Sequence, residues 1–173
     1  MIFMKVVFEG KKFKVLSGEV LLPSGKSVWR DIIDFGRSVV ILPIKDGSVF
    51  IIRQYRPAVG GWIYELPAGT LEEGEDPMEC AKRELIEEIG YEAGNLKLLF
   101  KMYLSPGYSN EYMYSYLATE LKYVGERPEY GEEISIVKKR FDEVVDMIRE
   151  GLIEDAKTIA TLLYYMTFYL RSG

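Results

Sequence analysis

The stretch Gly69–Tyr91, GTLEEGEDPMECAKRELIEEIGY, decides how the rest of the chain is read. Its middle predicts a helix opened by Asp76-Pro77, a capping carboxylate followed by proline at the first helical position, where the missing N–H costs nothing. Met78, Ala81, Leu85 and Ile89 recur at helical spacing as the buried stripe, and Gly90 supplies the stop. Glu84, Glu87 and Glu88 stand at i, i+3 and i+4, so three carboxylates crowd one sector, with only Arg83 and Lys82 nearby to offset them. A divalent cation turns that repulsion into a binding site; on spacing alone, a solvated acidic face reads equally well.

Composition narrows what such a helix can serve. The 173 residues fit one domain, or one domain with a small appendage, and 48% hydrophobic content supports a sizeable core. With 22 basic against 27 acidic residues the formal charge is −5, which argues against a nucleic-acid backbone as partner. Histidine is absent, so Ser-His-Asp and Cys-His catalysis and His-ligated zinc are all excluded. The single cysteine, Cys80, cannot form an internal disulfide, reads as a packing residue, and fits a reducing, cytoplasmic setting. No apolar stretch reaches the ~18 residues of a spanning helix and no signal-peptide pattern opens the chain, so no membrane is expected. What remains is chemistry by carboxylates, Lys, Arg, Tyr or hydroxyls, with oxygen ligands suited to Mg²⁺ or Mn²⁺.

Outward from the helix, residues 1–35 read as three strands, Ile2–Phe8, Phe13–Leu22 and Ser27–Phe35, broken by Glu9-Gly10-Lys11 and Pro23-Ser24-Gly25. Three strands are marginal alone in water, so this β-rich appendage needs cover from the main domain or a second subunit. The main domain, residues 36–173, begins with Val39–Ile44 and Ser48–Gln54 around a Lys45-Asp46-Gly47 hairpin. Beyond the helix come strands at Leu96–Tyr103, Glu111–Thr119 and Ile134–Lys139, then helices Phe141–Glu150 and Asp155–Leu170. Ile159, Leu162, Leu163 and Met166 are read as the core residues of the last helix.

The quoted stretch resembles the Nudix box: a Gly, five residues, Glu, seven residues, then Arg-Glu-aliphatic-x-Glu-Glu-x-Gly and an apolar position. Gly69, Glu75, Arg83, Glu84, Glu87, Glu88 and Gly90 match its fixed positions, and Leu85 the aliphatic one; Tyr91 stands where an aliphatic residue is more usual. The resemblance implies a Nudix-type α/β/α sandwich around a mixed sheet, with a loop–helix–loop that holds Mg²⁺ (or Mn²⁺) against a pyrophosphate. It implies Glu84 and Glu88 as metal ligands with Glu87 assisting and the Ala68 carbonyl joining them, while Glu75 and Arg83 pair to position the helix.

The flanks narrow the branch. Arg53-Gln54-Tyr55-Arg56-Pro57 and Trp62–Gly69 (WIYELPAG) precede the box, and Ser105-Pro106-Gly107-Tyr108-Ser109-Asn110-Glu111 follows it. These resemble the ADP-ribose and ADP-sugar pyrophosphatase branch, which implies a nucleoside diphosphate substrate and a homodimer. Arg56 suits a phosphate; Pro106 matches a proline of that branch; Trp62 and Tyr108 stack an adenine or simply pack; Arg30, beside Trp29, reaches a nucleotide in the partner subunit. Without histidine the general base is a carboxylate. The branch places it in the acidic stretch before a strand, here Glu129–Glu133, with Glu132 first, Glu133 second and Glu129 still open. The expected reaction is hydrolysis of ADP-ribose to AMP and ribose 5-phosphate. The alternatives are another nucleoside diphosphate sugar, a dinucleotide or triphosphate, or a sensor that binds ADP-ribose without cutting it.

Overall fold

A computed structural model describes residues 3–127, 131 and 133–170. The chain divides into two units, Met1–Arg37 with Met102–Met113, and Ser38–Lys101 with Tyr114–Gly173.

In the first unit β1 (Phe3–Glu9), β2 (Lys14–Leu21) and β3 (Ser27–Asp34) form an antiparallel three-stranded sheet. Both turns fall where glycine and proline place them: Gly10 N–H donates to the Phe13 carbonyl at 2.9 Å, and Leu22 N–H to that of Lys26 at 2.8 Å. Val6, Phe8, Leu21 and Trp29 stay exposed on this sheet. The Ser105–Asn110 loop is sewn to the end of β3. Tyr108 carbonyl accepts from Ile33 N–H (2.8 Å), and the Asn110 side chain accepts from Phe35 N–H (2.9 Å) and donates to Asp34 (2.6 Å).

The second unit is built on a hairpin. β4 (Arg37–Lys45) and β5 (Ser48–Arg56) are joined through Asp46 and Gly47 at φ 51° and 72°, the left-handed pair that matches strand twist. β6 (Gly61–Glu65) pairs with β5, and β7 (Ala68–Thr70) with β4. After α1 (Pro77–Ile89) come β8 (Tyr91–Tyr103), β9 (Tyr112–Tyr123) and β10 (Ile134–Arg140), giving the sheet order β10-β5-β4-β9-β8. The chain then forms α2 (Phe141–Arg149), α3 (Ala156–Tyr165) and a π-helical turn over Met166–Leu170.

Alternation along β9 shows how the layers stack. Tyr116 and Ala118 join Val39, Ile41, Phe50 and Ile52 in one core with Cys80, Ala81, Leu85 and Ile89 of α1. Ser115, one residue out of phase, points to the other face, where its hydroxyl meets that of Thr161 on α3 at 3.1 Å. Helices therefore cover both faces, an α/β/α sandwich. Each fully buried Leu or Ile contributes roughly 1.5–3 kcal/mol.

Several expectations shift. Met78 is exposed, and the buried stripe of α1 instead starts at Cys80 and Ala81 and continues through Leu85 and Ile89. On α3 Leu162 is buried but Leu163 is exposed, while Thr158 and Thr161 are buried because their hydroxyls are bonded. β8 starts five residues earlier than Leu96, since Gly94 does not break the strand. A Cβ at Gly94 would stand 2.8 Å from a Glu120 carboxylate oxygen, so glycine leaves room for the close approach of Glu120, whose own φ is 56°.

Candidate active site

Everything in the acidic helix is set by its two ends. Asp76 caps α1 by accepting from Met78 N–H at 2.8 Å, Pro77 follows, and Gly90 closes it at φ 74° with its N–H on the Ile86 carbonyl (3.0 Å). Between them Arg83 is a hub. Its Nε and Nη2 donate to the two oxygens of Glu75, each at 3.0 Å. Its Nη1 donates to Glu84 at 2.7 Å and to Glu87 at 2.9 Å, and Nη2 also reaches the Thr70 carbonyl at 3.2 Å. The bond from Arg83 holds the Glu75 carboxyl below the usual range, and the same bond fixes the Arg83 charge more firmly still. Cys80 lies under this hub with its sulfur 3.3 Å from Nη2; burial pushes the thiol well up, so it stays protonated and packs.

Glu84 and Glu88 are 8% and 5% exposed, deep for carboxylates. Ala68 N–H, on β7, donates to Glu88 Oε2 at 2.9 Å, which fastens the strand to the helix. Gly69 passes so close that a Cβ there would stand 1.7 Å from Glu84 Oε1. Two nearly buried carboxylates pressed against backbone form a hard-oxygen donor set of the kind that Mg²⁺ or Mn²⁺ takes. As they stand, no three acidic side chains converge to hold an ion among the described residues, because Arg83 draws Glu84 and Glu87 to itself.

Arg56, at the end of β5, makes a two-pronged pair with Glu65, Nε to Oε1 at 2.6 Å and Nη2 to Oε2 at 2.9 Å. Lys157 of α3 donates to the same Glu65 oxygen as Nη2, and to Asp155 at 2.9 Å. Burial alone would raise the Glu65 carboxyl; the Arg56 bond and the Lys157 charge outweigh it, and the group sits below the usual carboxylate range. In the first unit, Arg30 on β3 is exposed and bonds the Trp29 carbonyl at 2.8 Å, while Pro106 and Tyr108 occupy the exposed tip of the loop tied to β3. Trp62, half-exposed on β6, lies edge-on to Tyr55 (5.8 Å) and under the Arg53 guanidinium (4.9 Å). Glu133 is exposed and its carbonyl accepts from Tyr55 N–H at 3.2 Å; Glu132 and Glu129 lie outside the described residues.

A NUDIX domain signature matches residues 34–162. The chain belongs to the NUDIX family. It is 33% identical over 161 residues to a Bacillus subtilis ADP-ribose pyrophosphatase, covering 91% of this chain and 87% of that protein. A Bacillus methanolicus methanol dehydrogenase activator is 32% identical at the same coverage. A GDP-mannose pyrophosphatase of Escherichia coli O139:H28 is 34% identical over 154 residues, 82% of this chain and 79% of that one. The fold is also that of a crystal structure of an ADP compounds hydrolase, with a TM-score of 0.87 over 100% of this chain and 95% of the other at 22% identity.

Within this NUDIX chain, sequence reasoning passed over Glu65, Lys157 and Asn110. Glu65 stood inside the quoted WIYELPAG run, but its partner Lys157 is 92 residues away and no local spacing reveals it. Asn110 carried a stronger signal: a side-chain amide just past a Pro-Gly turn is suited to bonding backbone, and here it bonds the end of β3.

Proposed function

We propose that this NUDIX protein hydrolyses the pyrophosphate bond of a nucleoside diphosphate sugar, with ADP-ribose the leading substrate and AMP and ribose 5-phosphate the products. The observation that carries this reading is the acidic sector of α1, where Glu84 and Glu88 are buried against Ala68 and Gly69 while Arg83 gathers Glu75 and Glu87. Glu84, Glu88, Glu87 and the Ala68 carbonyl would hold Mg²⁺ (or Mn²⁺), which supplies charge neutralisation of the diphosphate and a more acidic water. Arg83 keeps three carboxylates from repelling one another before an ion binds. Arg56 takes a phosphate oxygen by its guanidinium, and Glu132, or else Glu133, accepts the proton of the attacking water on a carboxylate oxygen. Water adds to one phosphorus, the bridging P–O bond breaks, and the leaving phosphate carries away the electron pair.

The substrate assignment draws on the relative that acts on ADP-ribose; the one that acts on GDP-mannose makes a second sugar nucleotide the nearest alternative. A non-cutting sensor fits poorly, since none of the box carboxylates is replaced. We further read the protein as a cytoplasmic homodimer in which residues 1–35, Arg30 among them, contribute to the partner subunit's substrate pocket, with Pro106 and Tyr108 as further substrate-binding residues. The deciding experiment is a product assay with Mg²⁺ across ADP-ribose, ADP-glucose, GDP-mannose, NADH and nucleoside triphosphates. AMP released from ADP-ribose at the highest kcat/KM is the expected result; activity confined to triphosphates, or none at all, would overturn it.

A further inference from the structure

Two contacts tie the start of α3 to the segment that leads into the box, and the cap of α3 braces both. Lys157 donates to Glu65; Thr158 Oγ1 accepts from Leu66 N–H at 2.8 Å; and Asp155, the cap of α3, bonds both Lys157 (2.9 Å) and Thr158 N–H (3.0 Å). Glu65 is 1% exposed and the Lys157 side chain only 11%. Arg56 alone already neutralises Glu65 through both oxygens, so a second buried cation is not needed for charge balance. Lysine is costly to bury unless its ammonium is held, and here two carboxylates hold it. An arginine fork follows the plane of the carboxylate it grips, so whatever fixes Glu65 also fixes the guanidinium of Arg56. Sharing one carboxylate between two cations also leaves Arg56 more of its field than a private ion pair would.

We propose that Lys157 is a positioning residue for the substrate: it clamps Glu65 and, through it, sets the Arg56 guanidinium for the diphosphate. The inference rests on the reading of Arg56 as a phosphate ligand, and the test separates the two. Lys157→Met, Lys157→Gln, Lys157→Arg and Arg56→Gln are compared by steady-state kinetics with ADP-ribose and Mg²⁺, with Lys157→Met repeated in the Arg56→Gln background. The neutral variants raise KM about fivefold or more while kcat stays within about twofold, because misplacing a binding group by a fraction of an ångström weakens every phosphate contact it makes. Lys157→Arg restores most of the loss, and in the Arg56→Gln background Lys157→Met adds nothing further. Unchanged KM in both neutral variants overturns the proposal. So does an effect undiminished in the Arg56→Gln background, or failure of both neutral variants to fold, which would make Lys157 a residue of stability only. If Arg56→Gln itself leaves KM unchanged, the phosphate reading of Arg56 fails, and the positioning role falls with it.

Discussion

Arg83 holds the acidic helix together at the level of single atoms, and its neighbours divide into those that keep the helix in place and those that act on substrate. Glu75 belongs to the first group, since both its oxygens are spent on Arg83. On the proposed reading Glu84 and Glu88, as ligands of the metal, belong to the second. Replacing either by Gln keeps its shape and removes its charge, so Glu84→Gln and Glu88→Gln should lower kcat by about 10² or more with the far-ultraviolet spectrum unchanged. Near-normal turnover in either across a range of Mg²⁺ concentrations would sink the metal assignment. Gly69→Ala makes the same point through sterics, because its Cβ would stand 1.7 Å from Glu84 Oε1. That variant should lose activity comparably and fold less stably, and a fully active Gly69→Ala protein would show that Glu84 has room to move without consequence. Glu65 carries a pH signature. Its folded carboxyl lies below the ordinary value, so its contribution to stability is complete above the unfolded value of about 4.3 and vanishes as pH falls through the lower folded value. Glu65→Gln strands Arg56 and Lys157 without their shared counter-charge and should cost about 3 kcal/mol at pH 7. The cost should shrink as pH falls through that lowered folded value, where the native carboxyl itself takes up a proton. Denaturant unfolding at pH 7 and along an acid series checks this, and a cost that stays constant down the series would place the effect in packing instead.

Among the elements, α1 was almost wholly legible. Its cap, its proline, its acidic spacing and its glycine stop are local signals, and local signals survive because neighbours in sequence are neighbours on a helix. The short strands β6 and β7 were not, since Gly60-Gly61 and Pro67 punctuate them as if they were loops and only pairing with β5 and β4 makes them strands. On α3 the hydrophobic pattern misplaced one face. Thr158 and Thr161 are buried because Leu66 N–H and Ser115 satisfy their hydroxyls across 92 and 46 residues, which periodicity cannot register. In the acidic stretch before β10, most of which lies outside the described residues, Glu132 is the proposed base. Glu132→Gln should therefore depress kcat by about 10² while leaving KM and Mg²⁺ affinity nearly unchanged, with Glu133→Gln much milder. The reverse ranking would move the base by one residue and leave the reaction class standing.

For the molecule as a whole, the open question is what covers the N-terminal sheet. Val6, Phe8, Leu21 and Trp29 are all at least half exposed on it, with Trp29 at 67%. Val6 lies across from Leu16 while Phe8, Leu21 and Trp29 lie on the other face of the sheet, so apolar side chains are wet on both sides of a three-stranded sheet that is marginal in water and offers a surface for a partner to cover. The same unit carries Arg30, Pro106 and Tyr108, with the loop of the last two bonded to the end of β3 through Ile33 and Asn110. Closed twofold pairing is the commonest way for one chain to bury such a surface with a copy of itself. Deleting Met1 to Leu22 removes β1 and β2, and with β2 the ladder along the length of β3, leaving only its end bonded to the Ser105–Asn110 loop. The truncated protein should run as a monomer or aggregate in light scattering, whereas the full chain should run as a dimer. If the proposed role of the N-terminal segment in the partner's substrate pocket holds, the truncated protein's KM for ADP-ribose should rise about tenfold or more. A truncated chain that stays folded, monomeric and fully active would show that the sheet neither pairs subunits nor serves the pocket. A full-length chain that is monomeric at micromolar concentration would remove the dimer, and the sheet's apolar residues would then have to be covered by a different partner.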